Sequence, residues 1–258
     1  MSDTLEASPA TPLVPPTPRN RIAGLVLTPV LIALTLVVLW LVVTNSDLDS
    51  IEARTLNGDY IRTNVLAHLS LAVVSGVVVL VLAVALGIAL TRGLGKKIAP
   101  QVLAVVGVAQ AVPAIGLLVL LTILFGVGVR IALIGLIVTT LLPVLRNVVA
   151  GLEGVDPALV EAARGMGLRP WQVLTTVELP LAVPVVLAGF RTSLVLSVGV
   201  ATLATFVNAG GLGDMIVNGI KLQKNLVLIT GCVLVCAIAF LLDWLCGLLE
   251  LRLRPRGL

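Results

Sequence analysis

Long runs of apolar residues fill most of this chain, and six of them are long enough to cross a bilayer. A hydrocarbon core about 30 Å thick is crossed by roughly 20 residues of α-helix. The six runs lie at 23–43, 69–90, 102–125, 131–149, 185–207 and 226–249. Unbroken hydrophobicity of this length predicts an all-α polytopic membrane protein with six transmembrane helices.

Composition agrees with this interpretation. Of the 258 residues, 59% are hydrophobic and 12% are charged, whereas a soluble domain carries about 25% charged residues. The mean hydropathy is +1.16. A chain with this composition belongs in a membrane.

The chain divides into two tails, a first helix and a core. Residues 1–22 hold five prolines and few apolar side chains, which predicts a disordered N-terminal tail. The run at 23–43 is too long for a secretory signal peptide, and no small-residue cleavage site follows it, so a first transmembrane helix is favoured. The core at 65–250 holds the other five helices, and residues 251–258 form a basic C-terminal tail.

Lysine and arginine are unevenly distributed between the two sides of the predicted bundle. Of these 17 residues, 12 fall on the side that holds both termini and 5 fall on the other. Cytoplasmic loops keep an excess of positive charge, so both termini are predicted to be cytoplasmic. The net charge of +4 is explained by basic residues at span ends and calls for no nucleic-acid partner.

One polar stretch, GVDPALVEAARGMGLRPWQVLTTVELP at 154–180, separates the fourth and fifth runs on the predicted cytoplasmic side. Asp156 and Pro157 are a typical helix start, because the carboxylate caps the first turn and proline fits the first helical position. The glycines at 165 and 167 then end this helix. Its apolar residues share one face: Leu159, Ala163 and Met166.

A second short helix is predicted to start at Pro170 and to end at Pro180. The turn between the two helices is expected to leave little room for a Cβ at Gly167 and to require positive φ there. The pattern of the whole stretch therefore predicts two amphipathic helices joined by a glycine turn. Such a unit docks a partner protein or anchors the chain at the membrane surface.

No catalytic, metal or cofactor site is predicted. The three cysteines lack the set of histidine and carboxylate ligands that a metal site needs and are interpreted as packing residues of the last run; they are Cys232, Cys236 and Cys246. The lone histidine, His68, lies at the outer end of the second run, where an interfacial role is favoured over catalysis. No glycine-rich phosphate loop is present.

Ionisable residues within the runs are scarce. Asp243 lies well inside one run and Arg191 lies in the cytoplasmic half of another. A structural ion pair is favoured over a proton relay. The scarcity also argues against a secondary carrier, which usually has more polar groups near the bilayer midplane.

Small residues and prolines follow a pattern in the runs. One stripe of the second run suits close approach of another helix; it comprises Ala72, Gly76, Ala83 and Gly87. Pro113 in the third run and Pro143 in the fourth each free a backbone carbonyl and favour a kink.

The polar stretch resembles the motif by which permeases of ABC importers couple to their ATPases. That motif is Glu-Ala-Ala, three residues, Gly, nine residues, Ile, one residue, Leu-Pro. The matching positions here are Glu161, Ala162, Ala163, Gly167, Val177, Leu179 and Pro180. Val177 in place of isoleucine is the single departure.

Other segments narrow the resemblance to permeases that import glycine betaine, choline and carnitine. They are LLPVLRNVVAGLEGVDPALVEAARGMG, AQAVPAIGLLVLL and NAGGLG, within a similar region at 67–258. The resemblance implies a type I, methionine-importer-like permease fold. Candidates for the pathway or its gate are Gln110, Pro113, Pro143 and Asn208, although relatives usually carry glycine where Asn208 stands.

The resemblance also implies partners in the bacterial cytoplasmic membrane. These are two ATPase subunits that bind ATP and magnesium, a second permease copy or paralogue, an extracytoplasmic substrate-binding protein and membrane lipid. No cofactor is expected in this chain. Three alternatives stay open: a permease for another solute such as methionine or an alkyl sulfonate, an ion-coupled carrier, and a membrane anchoring subunit.

Aromatic residues are too few for a quaternary ammonium cage in this chain. Such cations are held against aromatic faces, and only 3% of the residues are aromatic. The cage is therefore expected in a partner protein.

Overall fold

The computed structural model describes residues 18–253, and within that range every regular element is helical. The α-helices are α1 (Pro18–Thr44), α2 (Ser50–Thr55), α3 (Gly58–Leu90), α4 (Gly95–Ala111), α5 (Ala114–Phe125), α6 (Val129–Glu153), α7 (Pro157–Gly165), α8 (Pro170–Val173), α9 (Leu179–Ala201), α10 (Leu212–Lys221) and α11 (Asn225–Leu253). A π-helical turn, Leu174–Glu178, joins α8 to α9, and a 3₁₀ segment, Thr202–Val207, follows α9. Most of the predicted N-terminal tail, and residues 254–258 of the basic tail, lie outside the described residues.

Five stretches of helix in this part of the chain are long and apolar enough to cross a membrane unbroken. They include α1, α3, α6, α11 and the continuous 170–207 segment that contains α9. A sixth candidate is the pair α4 and α5, which meet at 92°. The all-α polytopic prediction is confirmed.

The third run bends at Pro113, where a kink was predicted, and the chain turns so sharply that the run is divided into α4 and α5. Val112 takes an extended conformation with ψ 131°, as the residue before a proline tends to do. Pro113 has no N–H to continue the ladder, so α5 starts anew after it. By contrast, α6 runs on through Pro143.

Helices α3, α6 and α9 pack together at the centre of the bundle. Helix α11 packs on α9 and α10, and α1 packs on α11. The apolar stretch of α1 is unburied within this chain, which suits a helix that faces lipid.

The small-residue stripe of α3 serves two different neighbours. A Cβ at Gly87 would lie 2.3 Å from Cγ1 of Val148 in α6, and one at Gly76 would lie 2.8 Å from Cδ1 of Leu194 in α9. The two alanines of the stripe are fully buried. The predicted close approach is confirmed, and it brings α3 against both other central helices.

Buried polar contacts reinforce this centre. The hydroxyls of Ser75 and Ser197 are 2.6 Å apart, and the hydroxyl of Ser193 donates to the carbonyl of Thr140 at 2.7 Å. These bonds join α3 to α9 and α9 to α6. In lipid they satisfy groups that water cannot reach.

His68 is fully buried, so its predicted interfacial role was wrong. Its Nε2 lies 3.1 Å from the carbonyl oxygen of Val198, to which it donates. That carbonyl is available because Thr202 N–H donates to Gly199 and Val200 instead, where α9 tightens into the 3₁₀ segment. A side chain of α3 thus replaces a helix bond of α9.

On the side predicted to be external, α2 is fixed at its N-terminal end by Asp49. Asp49 accepts from the N–H groups of Ile51 and Glu52 at 2.9 Å, and Glu52 accepts from Asp49 N–H at 3.2 Å. Asp49 also pairs with Lys224, just before α11. The Lys224 ammonium lowers the pKa of the Asp49 carboxyl.

Replacing Gly87 by alanine should destabilise the bundle, because the new methyl group cannot fit against Val148. Overpacking of a close contact costs about 1–3 kcal/mol. We expect a lower melting temperature of the detergent-purified protein, measured by size-exclusion chromatography after heating. Gly199→Ala is the control, because a Cβ there meets nothing within 4 Å; equal melting of the two variants would contradict the packing argument.

Candidate functional site

Helix α7 begins as its sequence predicts. Asp156 accepts from the N–H of Ala158 at 2.9 Å, and Pro157 occupies the first turn. Ala163 is the residue of α7 that is buried. The three residues predicted to share one apolar face, Leu159, Ala163 and Met166, line one groove, in which Ala163 is buried while the other two are exposed.

Gly167 makes the turn after α7 with φ +85°. Leu168 N–H donates to the carbonyl of Ala163 at 3.2 Å, and Gly167 N–H donates to that of Arg164 at 2.9 Å. This pair of bonds is a Schellman cap, whose left-handed position favours glycine. The expected crowding was wrong, because a Cβ at Gly167 would meet nothing within 4 Å; backbone conformation alone makes glycine necessary.

The second helix begins at Pro170 as predicted, where Arg169 N–H donates to Oε1 of Gln172 at 2.8 Å. Its predicted end at Pro180 was wrong. The Leu174–Glu178 turn, closed by Leu179 N–H donating to Leu174 O, leads straight into α9. Because a π-helical turn already interrupts the regular ladder, the missing N–H of Pro180 falls in a first turn, where it breaks no bond.

We call residues 154–180 the coupling loop, after the motif that they resemble. It has an outer apolar surface, on which Met166 is 76% exposed and Trp171 is 67% exposed. Val173 and Leu174 are buried on the opposite side. Large exposed apolar side chains in a polar loop suit contact with another protein or with the membrane surface.

Motif residues that are distant in sequence share one groove of the coupling loop. The groove is lined by Leu159, Ala162, Ala163, Met166, Thr176, Val177, Pro180 and Leu181. Four motif positions therefore meet there. Leu179 packs beside the apolar cluster between α3, α6 and α9.

Glu161 faces a separate polar cavity between the coupling loop and the ends of α3 and α6. Its charged lining residues are Arg92, Lys96, Glu153, Glu161, Arg164 and Glu178. Inside it Arg92 forms an ion pair with Glu178. Sequence reasoning missed this pair, because the two residues are far apart in the chain and only the fold brings them together.

The candidate pathway residues lie on different elements. Gln110 is half-buried near the end of α4, and Pro113 is exposed at the break that follows. Pro143 is half-buried within α6, where its carbonyl accepts from Asn147 Nδ2 at 2.8 Å.

Asn208, the remaining candidate, lies in the turn after the 3₁₀ segment. It adopts a left-handed conformation, with φ 57° and ψ 40°. Asparagine tolerates this region better than most residues, so it can stand at a position suited to glycine.

Arg191 and Asp243 are in contact. Arg191 donates from Nε and Nη2 to the two carboxylate oxygens of Asp243, which joins α9 to α11. This two-bond arrangement is specific to arginine and carboxylate. For metals, the described residues hold no group of three or more histidine, cysteine or acidic side chains that could bind an ion.

Comparison with known proteins gives relatives for most of the chain. The carnitine transport permease protein OpuCB of Listeria monocytogenes is 38% identical over 202 residues, covering 78% of this chain and 92% of the relative. The osmoprotectant import permease protein OsmW of Salmonella typhimurium is 35% identical over 216 residues, covering 82% and 100%. Both are named as permeases, which agrees with the expectation that this chain is not an enzyme.

A solved structure supports the predicted fold. The inward-facing MetNI methionine ABC transporter matches with a TM-score of 0.66 and 26% identity, over 76% of this chain and 96% of that one. In addition, residues 82–255 match the family described as binding-protein-dependent transport system inner membrane component. This chain is a multi-pass membrane protein that belongs to that family of transport permeases.

Proposed function

We propose that this chain is the permease subunit of an ATP-driven importer of quaternary ammonium osmoprotectants such as glycine betaine, choline and carnitine. The main support for this proposal is the geometry of the coupling loop. Four motif residues, spread over 19 positions from Ala162 to Pro180, line one groove there. The substrate class rests on the relatives, among them a glycine betaine/carnitine/choline permease of Bacillus subtilis that is 38% identical.

The coupling loop faces the cytoplasm in this proposal, and both termini lie on the same side. The distribution of lysine and arginine supports this orientation. ATPase subunits dock on the groove and on the apolar surface around Met166 and Trp171. They bind the ATP and magnesium, while a second permease copy or paralogue completes the pathway and an external binding protein delivers the substrate.

Movement of the coupling loop passes directly into the membrane. The second loop helix, the π-helical turn and α9 form one unbroken helical path from Pro170 to Val207. Helix α9 in turn packs on α3 and α6 at the centre. A displacement of the loop by the closing ATPases therefore shifts a central helix without passing through a flexible linker.

Substrate selection belongs mainly to the binding protein. A quaternary ammonium ion is attracted to aromatic faces, and this chain holds one tyrosine, three tryptophans and four phenylalanines. Of these aromatic residues, Trp171 lies exposed on the coupling loop rather than in a membrane span. The permease then needs to provide a path of suitable width rather than a tight cage.

A methionine or other amino-acid permease is the second candidate. The likeness to the MetNI transporter favours it. The osmoprotectant reading takes precedence because identity to those relatives is higher and covers a similar share of the chain.

We assign a structural role to Arg191 and Asp243. Asp243→Asn would leave the guanidinium without its charge partner at a site where Arg191 is 40% exposed. Loss of such a half-exposed pair should cost about 1–3 kcal/mol, less than for a buried one. We expect less assembled transporter, partly restored by adding Arg191→Gln, measured by quantitative purification. Normal assembly with an altered pH dependence of uptake would instead support an ion-coupled carrier.

Gly167→Val should weaken coupling while leaving the spans intact, because a β-branched residue cannot adopt φ +85° without strain. The wild-type permease, reconstituted in proteoliposomes with its ATPase and binding protein, should import radiolabelled glycine betaine only when ATP is supplied on the ATPase side. The variant should insert normally, bind the ATPase weakly and import about tenfold less.

Gly165→Val is the matched control. Gly165 is also exposed with open space for a Cβ, but it is not among the positive-φ glycines. It should retain most of the uptake. Equal loss in both variants would contradict the conformational argument, and uptake driven by an ion gradient without ATP would contradict the proposed function.

A further inference from the structure

The Arg92–Glu178 pair lies where the coupling loop meets two central helices. Glu178 is the last residue of the π-helical turn, directly before α9. Arg92 follows the end of α3. The contact therefore joins the start of one central helix to the cytoplasmic end of another.

The burial of Glu178 makes the contact obligatory for that side chain. Its side chain is 8% exposed, while that of Arg92 is 38% exposed. A carboxylate taken out of water needs a charge partner. Among residues 18–253, Arg92 is the cation that forms an ion pair with it.

The backbone around Arg92 is held firmly. Thr91 N–H donates to Gly87 O at 3.0 Å, and the Thr91 hydroxyl also donates to that carbonyl at 3.0 Å. The turn then packs so closely that a Cβ at Gly95 would lie 1.9 Å from Ala89 O. The backbone of Arg92 is therefore held in a fixed position relative to the end of α3.

Glu178 is attached with equal rigidity on its own side. Leu174, at the other end of the same turn, is buried in the apolar cluster that also includes Leu90 of α3 and Leu152 of α6. A π-helical turn is a frequent feature of functional sites.

We propose that the Arg92–Glu178 ion pair transmits movement of the coupling loop to α3, so that α3 and α9 move together when the ATPases close. This proposal rests on the proposed function and makes Glu178 a positioning residue for transport. Without the pair, the loop still binds the ATPase through its groove and outer surface, but its movement reaches α3 only through apolar contacts such as those of Leu174.

The test measures substrate imported per ATP hydrolysed in proteoliposomes with the ATPase and binding protein. Glu178→Gln and Arg92→Gln should each lower this ratio by about tenfold while ATP hydrolysis continues. The exchanged pair, Arg92→Glu with Glu178→Arg, should recover the ratio to within about threefold of wild type.

Lys96→Gln is the matched control, since Lys96 lines the same cavity and its loss removes the same charge without breaking this pair. It should keep the wild-type ratio. If the exchanged pair does not assemble, Arg92→Lys replaces it and should retain a ratio between those of wild type and Arg92→Gln.

Two results would overturn the proposal. In the first, both single variants yield less assembled transporter, but the assembled fraction imports as much substrate per ATP as the wild type. The pair would then serve folding alone. In the second, Lys96→Gln lowers the substrate imported per ATP as much as Arg92→Gln does. The effect would then come from the net charge of the cavity. Failure of the proposed function is distinct, because the wild type itself would then import nothing with ATP.

Discussion

In lipid, every backbone polar group must find its partner within the protein, and this constraint governs where the helices can break. At the C-terminal end of α9, a carbonyl left free by the 3₁₀ segment accepts from the buried ring of His68. Near Pro143, Ser193 donates to the carbonyl of Thr140, and Asn147 donates to that of Pro143 itself. The bond that α9 loses at its 3₁₀ segment is therefore replaced by a side chain of a neighbouring helix.

The same constraint explains why the coupling loop can act on the membrane. A loose connection between α8 and α9 would leave unpaired groups close to the lipid, and the chain uses a π-helical turn instead. The result is one continuous helical path from Pro170 to Val207 that is long and apolar enough to cross a membrane. Arg92 and Glu178 add a second attachment of this path to the bundle. The π-helical turn thus keeps the helical path continuous and also satisfies its backbone hydrogen bonds.

Sequence predicts the features that depend on local chemistry. Apolar runs give the spans, the Asp156 and Pro157 pair gives a helix start, and the glycine at 167 gives a left-handed turn. Sequence fails where a distant neighbour decides the outcome. Proline removes a donor at both 113 and 143, yet only the first site breaks its helix.

Residues that are distant in sequence also determine whether a polar side chain is buried and what it binds. The burial of His68 depends on Val198, and Glu178 acquires its partner from the end of α3. Hydropathy measures how readily a segment enters lipid, but it carries no information about which helix lies beside it. The groove of the coupling loop is similarly visible only when Val177 and Pro180 meet α7.

The central claim is that the coupling loop lies on the cytoplasmic side and is covered by an ATPase. The most direct test is labelling of single cysteines with a membrane-impermeant maleimide in a chain whose three native cysteines are replaced. Arg164→Cys, on α7, should react only after cells are permeabilised, and added ATPase should protect it. Lys221→Cys, exposed at the end of α10, should react in intact cells. Labelling of Arg164→Cys in intact cells, with Lys221→Cys protected, would contradict the account.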